Sequence, residues 1–188
     1  MRLWGTMVAT GTGTQPDDEV TALIEIPRGS RNKYELDPET GRLKLDRVLY
    51  SSVHYPADYG FIPETLAGDG DPLDILVLVQ EPTFPGCLVP ARPVGGLDMD
   101  DEKGSDFKIV AVPVGDPRYA HVYEMTDLGE HWAKEIETFF ETYKWLEPGQ
   151  TEVLGWHTAV EAKAVIVEAR RHFAEVDAAR RAASGALG

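Results

Sequence analysis

Six residues of this chain, Asp69 to Asp74, read DGDPLD and place three carboxylates directly before the apolar run Ile75 to Val79. Carboxylates so close together repel one another until a cation neutralises them, and a hard divalent metal ion suits their oxygens best. The glycine and proline exclude a helix, so we expect an extended stretch in which Asp69 and Asp71 point the same way, about 6 to 7 Å apart. The segment therefore predicts a metal-binding element ahead of a strand.

An acidic surface turn is the simplest alternative, since Asp and Gly are common turn residues. The third carboxylate, Asp74, and the strand that begins there favour the metal site. An EF-hand calcium loop needs Gly at its sixth position and Glu at its twelfth. Counting from Asp69, those positions hold Asp74 and Gln80, so the sequence excludes that loop.

A second acidic segment, Asp98 to Glu102, reads DMDDE and is followed by Asp106. Charge runs usually face water, so the first two acids are assigned to a solvated loop, whereas Asp101 and Asp106 are better candidates for a site. If the fold brings this segment against the first one, the carboxylates suffice for several Mg2+ ions. Such ions keep some of their waters and also need oxygens from a substrate.

Basic and tyrosine side chains are interleaved with these acids along the chain. Each one alone is weak evidence, because most surface lysines only keep a protein in solution and tyrosines often pack in a core. Together they fit the hydrolysis of a phosphoanhydride, in which positive groups and metal ions hold the charge on the phosphoryl oxygens. They are Lys33, Arg47, Tyr55, Tyr59, Lys108, Tyr143 and Lys144.

The composition of the chain limits its possible partners and its cellular location. The chain has 188 residues, with 18 Lys and Arg against 32 Asp and Glu, and a formal net charge of -14. This surplus of negative charge argues against nucleic acid or an anionic membrane as a partner. No stretch approaches the roughly 18 apolar residues of a membrane span. The single Cys87 has no partner for a disulfide or a zinc site, so we expect a cytoplasmic protein.

From position 20 to about 113, short apolar runs alternate with turn residues, which is typical of strands joined without helical crossovers. We therefore expect an α+β fold, with a closed antiparallel β-barrel followed by helices. Residues 1–18 show no period and are interpreted as a flexible extension ahead of a single domain, 19–188. The expected strands cover Leu23–Ile26, Lys33–Leu36, Leu43–Leu49, Leu73–Val79, Leu88–Met99 and Phe107–Val112.

Two helices are expected after the strands. In the segment 127–146 apolar residues recur every three or four positions, which is the pattern of one helix face. Asp127 is expected to cap the start of this helix. A second helix is expected over about 158–182, because Thr158 and Glu161 have the spacing of a capping box.

A series of short segments repeats the motifs of a known enzyme family in the family's order. Besides DGDPLDI, they are IEIP, KYEL, DR, YPADYG, RPVG, DE, DFK and FFETYKWLEPG, and they cover about Thr21 to Gly149. On these segments the chain resembles a soluble family I inorganic pyrophosphatase of the bacterial type. The stretch PRGSRNK is similar to the actinobacterial form of its loop. The extension 1–18 has no counterpart, and the helix after Thr158 matches loosely.

The resemblance implies an OB-like five-stranded barrel with flanking C-terminal helices. It implies hydrolysis of inorganic pyrophosphate to two phosphates by in-line attack of a metal-activated water, which drives biosynthetic reactions that release pyrophosphate. The implied cofactor is Mg2+, several ions per subunit, with Mn2+ or Zn2+ as substitutes. The implied assembly is a homohexamer.

The resemblance also assigns roles to residues. Asp71 resembles the group that takes the proton from the attacking water, with Asp106 as the alternative acceptor. Glu35 and Tyr55 resemble supporting residues. The phosphate-binding positions are those of Lys33, Arg47, Tyr59, Lys108, Tyr143 and Lys144. The metal-binding positions are those of Asp69, Asp74 and Asp106 for the tightest ions, and of Glu25, Asp101 and Glu102 for ions that arrive with substrate.

Two other functions compete with this one. The first is a metal-dependent phosphohydrolase acting on nucleotides or polyphosphate, but no aromatic and glycine-rich pocket for a base stands out. The second is a divalent-ion-binding or scaffolding protein without turnover. The basic residues and tyrosines beside the acids argue against it, because ion binding alone does not need phosphate ligands.

Overall fold

This computed structural model describes residues 18–101 and 104–185. They contain eight strands and two α-helices. The predicted extension therefore lies outside the described residues apart from Asp18, and so does the candidate ligand Glu102. The helices are α1, His131–Thr142, and α2, Ala159–Gly185. The strands are β1 Val20–Ile26, β2 Asn32–Leu36, β3 Leu43–Val48, β4 Asp58–Phe61, β5 Asp74–Val77, β6 Leu88–Asp101, β7 Gly104–Pro113 and β8 Glu152–Thr158.

Five of these strands pair in a ring. β1 pairs with β4, β4 with β5, β5 with β7, β7 with β6, and β6 pairs back with β1. β8 adds to β6, and β2 and β3 form a separate two-stranded hairpin. The α+β class is confirmed, but the expectation of a purely antiparallel arrangement is wrong, because β5 and β7 run parallel. Strand direction cannot alternate all the way round an odd-numbered ring, so one pair has to be parallel.

The parallel pair brings the two acidic segments to one edge of the ring. Ile75 of β5 lies opposite Ile109 of β7, so both strands begin at the same edge. Asp74 stands at the start of β5, and Asp106 lies near the start of β7. We call this edge, with Asp69, Asp71, Asp74 and Asp106, the acidic edge.

The strands behind the acidic edge are buried on both faces. Leu76 and Val110 belong to a core cluster that packs against α1, while Ile75 and Ile109 belong to a second cluster that packs against α2. Strands buried on both faces read as unbroken apolar runs, which is why the sequence marked them clearly. Neither helix in the described part of the chain is both long and apolar enough to cross a membrane.

Two strands were not predicted. β4 has four residues, all of them buried, so its sequence DYGF shows no alternation of apolar and polar positions. β8 lies between the two helices, where the sequence predicts no element, and it is mostly half-buried or exposed. The other expected runs coincide with β1, β2, β3, β5, β6 and β7.

The helix-capping predictions had different outcomes. Asp127 does not cap α1, because its carboxylate accepts the backbone N–H groups of Tyr123 and Glu124 at 2.8 and 3.0 Å, in the turn before the helix. The capping box ahead of α2 is confirmed. Thr158 donates its N–H to Glu161 at 2.8 Å, and the Glu161 N–H donates to the Thr158 hydroxyl at 3.3 Å.

Gly60 of β4 stands where the backbone of β1 leaves no room for a side chain. A Cβ there would lie 1.9 Å from the carbonyl oxygen of Leu23. We expect Gly60→Ala to lower the free energy of unfolding by about 3 kcal/mol or more, since a paired backbone cannot move aside as a flexible side chain can. Urea unfolding followed by circular dichroism measures the change.

Gly115→Ala is the matched control, because a Cβ at Gly115 meets no atom within 4 Å. We expect it to stay within about 0.5 kcal/mol of the unmodified protein. A Gly60→Ala protein as stable as the control would contradict the close approach of β4 and β1.

Candidate active site

A buried lysine lies at the centre of the acidic edge. Lys108 of β7 is only 4% exposed, and its ammonium contacts the carboxylates of both Asp74 and Asp106, the second at 2.6 Å. Burial by itself lowers the pKa of a lysine, but the two carboxylates outweigh burial and raise the pKa of Lys108 above its ordinary value. Lys108 therefore stays charged at any physiological pH.

The carboxylates around Lys108 carry more negative charge than one lysine can balance. Burial raises the pKa of Asp106, and the neighbouring Asp74 and Asp101 add to the rise while Lys108 opposes it. Asp74 also accepts a hydrogen bond from the hydroxyl of Tyr59 at 2.5 Å. Burial and Asp74 raise the pKa of Tyr59 well above its usual value, so this hydroxyl remains a donor.

Glu25 of β1 is the most perturbed carboxyl of the group. It is 8% exposed, and burial raises its pKa to about 7 from the usual 4.5, with Asp74 contributing to the rise and the N–H of Leu36 opposing it. That N–H donates to the Glu25 carboxylate at 2.6 Å. A buried carboxyl beside another carboxylate gains most from a bound cation, so the neighbourhood of Glu25 fits a divalent metal ion.

The hairpin of β2 and β3 contributes two basic side chains. Lys33 and Arg47 lie opposite each other in its register. Lys33 contacts Glu35 at 2.6 Å and Asp46 at 3.5 Å, and Arg47 donates to Asp46 at 2.7 Å. Both cations are therefore held by carboxylates of their own hairpin.

The residues after α1 contribute a tyrosine and a lysine. The Tyr143 ring stacks on Phe139 with centroids 5.3 Å apart, and Lys144 contacts Asp101 at 3.3 Å. Burial raises the pKa of Tyr143, and the charges of Lys144 and Lys108 act against that rise, which places the phenol close to the acidic edge. Tyr55 packs beneath, with its ring centroid 4.8 Å from that of Phe139.

Asp69, a predicted metal ligand, and Asp71, the predicted proton acceptor, lie on an exposed turn ahead of β5. The expectation of an extended stretch is wrong here. Gly70 has φ of +90°, and the N–H of Asp71 donates to the Asp69 carboxylate at 3.1 Å, so the chain bends between them. The turn still leads into the acidic edge, because it is continuous with Asp74.

Lysines of the protein itself contact three of the predicted metal ligands in this structure. Within residues 18–101 and 104–185, no three His, Cys, Asp or Glu side chains are gathered closely enough to hold a metal ion. Asp74 and Asp106 are contacted by Lys108, and Asp101 is contacted by Lys144. Every ligand proposed from the sequence offers carboxylate oxygens, the donor type that Mg2+ prefers.

Sequence reasoning missed two acids that contact Arg47. Asp46 precedes it in the DR motif, and Glu147 lies in the FFETYKWLEPG segment. Adjacency to Arg47 was a usable signal for Asp46. Nothing in the sequence pairs Glu147 with Arg47, because the two are 100 residues apart.

Both the sequence and the fold of this chain are similar to those of known proteins. The family model for inorganic pyrophosphatase matches residues 22–174. An inorganic pyrophosphatase from Nostoc sp. is 54% identical over 147 residues, which are 78% of this chain and 87% of that protein. One from Haloferax volcanii is 48% identical over 176 residues, or 93% and 98%. The crystal structure of the Thermus thermophilus inorganic pyrophosphatase has a TM-score of 0.84 at 46% identity, covering 87% of this chain and 95% of that one.

The raised pKa of Glu25 has a consequence for stability. Between the usual 4.5 and about 7, the unfolded chain loses this proton while the folded chain keeps it, so folding stability falls as pH rises through that window. We expect Glu25→Gln, measured by urea unfolding with a chelator present, to be more stable than the unmodified protein at pH 8. The difference should be roughly 2 to 3 kcal/mol and should narrow towards pH 5.

Glu39→Gln supplies the control, since Glu39 is exposed between β2 and β3. Its unfolding curves should follow those of the unmodified protein at every pH. A Glu25→Gln protein that is less stable at pH 8 would show that Glu25 is not held in an unfavourable charged state.

Proposed function

The chain belongs to the inorganic pyrophosphatase family, and from this premise we propose that the acidic edge and the cations around it hydrolyse inorganic pyrophosphate to two phosphates. One observation carries the proposal. Lys108 is buried between two carboxylates, so a fixed positive charge stands inside a cluster of acids. Positive and negative charges side by side suit an anionic substrate that binds together with metal cations.

Divalent ions are proposed to complete the site. All the donors are carboxylates, so Mg2+ is the expected ion, several per subunit, with Mn2+ or Zn2+ as substitutes. Bound ions would lower the pKa of the attacking water and neutralise phosphoryl oxygens. Glu25 supports the proposal, because burial and, to a smaller extent, Asp74 raise its pKa, and a bound cation would stabilise its charged form. The proposed ligands are Glu25, Asp69, Asp74, Asp101, Glu102 and Asp106, of which Glu102 lies outside the described residues.

Two carboxylates are candidates to take the proton from the attacking water. Asp71 is exposed to solvent on the turn at the acidic edge. Asp106 is more buried, and burial raises its pKa although the Lys108 ammonium contacts it. The resemblance gives the role to Asp71, so Asp71 is the proposed acceptor and Asp106 is the alternative.

The basic residues and tyrosines are proposed to hold the two phosphoryl groups. Arg47 offers a planar fork that matches two phosphate oxygens, whereas lysines act as point charges. Tyr59 and Tyr143 can act as hydrogen-bond donors, because burial raises the pKa of both phenols and keeps them protonated. Glu35 steadies Lys33 at 2.6 Å, and the ring of Tyr55 supports that of Tyr59, with centroids 5.4 Å apart. The lysines are Lys33, Lys108 and Lys144.

The fold and setting are proposed on the same basis. The ring of five strands is proposed to form the OB-like barrel that the resemblance implies. A homohexamer acting in the cytoplasm would remove the pyrophosphate that biosynthetic reactions release. Exposed apolar side chains on α2, such as Val160 and Val167, are available for contacts between subunits.

A phosphate-release assay across substrates tests the activity. We expect turnover of pyrophosphate with Mg2+, loss of turnover with a chelator, and much slower release from ATP and tripolyphosphate. A preference for ATP or tripolyphosphate would indicate a different phosphohydrolase. A rate no better than that of buffer with Mg2+, together with calcium binding that pyrophosphate fails to strengthen, would indicate an ion-binding scaffold.

Replacing Asp71 tests the proposed proton acceptor. Asp71→Asn should lower kcat about 100-fold or more, since a general base typically contributes a factor of that order. Steady-state kinetics with Mg2+ and pyrophosphate measures the change. Asp100→Asn, the same charge change on an exposed acid of β6, should keep kcat within about twofold. An Asp71→Asn enzyme that behaves like this control would exclude Asp71 as the acceptor and leave Asp106 as the candidate.

A further inference from the structure

Glu147 is a buried carboxylate to which the proposed function gives no role. It lies just beyond Lys144, and its N–H donates to the carbonyl of Lys144 at 2.8 Å. Its side chain is 6% exposed. One carboxylate oxygen, Oε2, accepts from Nε of Arg47 at 2.7 Å. The other, Oε1, is buried and has no hydrogen-bond partner among the described residues.

The contacts of Arg47 leave one part of its guanidinium for a ligand. Nε is taken by Glu147, and Nη1 donates to Asp46 at 2.7 Å. Within residues 18–101 and 104–185, Nη2 donates no hydrogen bond. Two carboxylates therefore fix the plane of the guanidinium and leave Nη2 for a phosphate oxygen.

The pair also joins two separate parts of the chain. Arg47 belongs to the β2–β3 hairpin, which forms a sheet of its own, while Glu147 shares a turn with Lys144. The hairpin carries the phosphate-binding candidates Lys33 and Arg47, and the segment after α1 carries Tyr143 and Lys144. The ion pair therefore ties one side of the phosphate site to the other.

Stability alone explains this arrangement poorly. Burying a carboxylate costs several kcal/mol, and an oxygen left without a partner adds to that cost. Replacement of a buried ion pair by apolar residues is often neutral or stabilising. A role in orienting Arg47 accounts for the pair better than a contribution to folding does.

We infer that Glu147 is a positioning residue, which orients the Arg47 guanidinium towards pyrophosphate and fastens the hairpin to the segment that carries Lys144. The inference rests on the proposed function, because it assigns Arg47 to the substrate. Glu147 itself does not touch the substrate, so its effect passes through Arg47.

Glu147→Gln is the first test, because it keeps the shape and an acceptor oxygen but removes the charge. We expect KM for pyrophosphate to rise about tenfold while kcat changes less than threefold, since ground-state binding is lost rather than the chemical step. The dissociation constant of inorganic phosphate with Mg2+, measured by calorimetry, should rise by a similar factor. Glu147→Asp keeps the charge but no longer reaches Nε, and we expect the same rise in KM.

Glu141→Gln is the matched control, since Glu141 is an exposed acid at the end of α1. Its KM and phosphate affinity should stay within twofold of the unmodified enzyme. A double-variant cycle then separates positioning from a general loss of structure. If Glu147 acts through Arg47, adding Glu147→Gln to Arg47→Ala should leave KM unchanged.

The outcomes separate the inference from the proposed function. No turnover by the unmodified enzyme would overturn the proposed function, whatever Glu147 does. An active enzyme in which Glu147→Gln and Glu147→Asp leave KM and phosphate affinity within twofold would overturn the inference alone. An equal rise in KM on adding Glu147→Gln with and without Arg47 would overturn it as well.

Discussion

The contact of the buried Lys108 ammonium with Asp74 and Asp106 depends on one constraint of the fold, the parallel pairing of β5 and β7. That pairing starts both strands at one edge, so acids more than 30 residues apart share a lysine. A ring with an odd number of strands requires at least one parallel pair, and in this chain that pair is the one that carries Asp74 and Asp106. The core clusters on both faces of these strands hold the arrangement in place.

The site built on this edge has an uneven distribution of charge. Lys108 neutralises part of the acidic cluster, but Glu25 and Asp106 still have raised pKa values because they are buried near other carboxylates. In the proposed function, the remaining negative charge attracts divalent cations, and the lysines, Arg47 and the protonated tyrosines bind phosphate. On that proposal, metal ions and pyrophosphate suit this site together better than either does alone. The protein keeps parts of it ordered through its own ion pairs, as with Arg47 and Glu147.

The sequence anticipated the parts of the molecule that depend on local pattern. Apolar runs marked the strands that are buried on both faces, and the DGDPLD segment marked the acidic edge. The sequence did not predict β4, because its four buried residues do not alternate between apolar and polar. It did not predict the parallel pair, because strand direction depends on how the ring closes. The Arg47–Glu147 pair could not be predicted either, because its two residues are 100 positions apart and meet only in the folded chain. Residue types predicted the chemistry, but only the fold showed how the charges are shared.

A crystal structure of the protein with Mg2+ and inorganic phosphate tests the central claim most directly, because it shows which atoms replace the internal ion pairs. The account predicts ions contacting Asp74 and Asp106, with phosphate contacting Lys108 and Nη2 of Arg47. Phosphate and ions bound elsewhere, with Lys108 still joining Asp74 to Asp106, would contradict it.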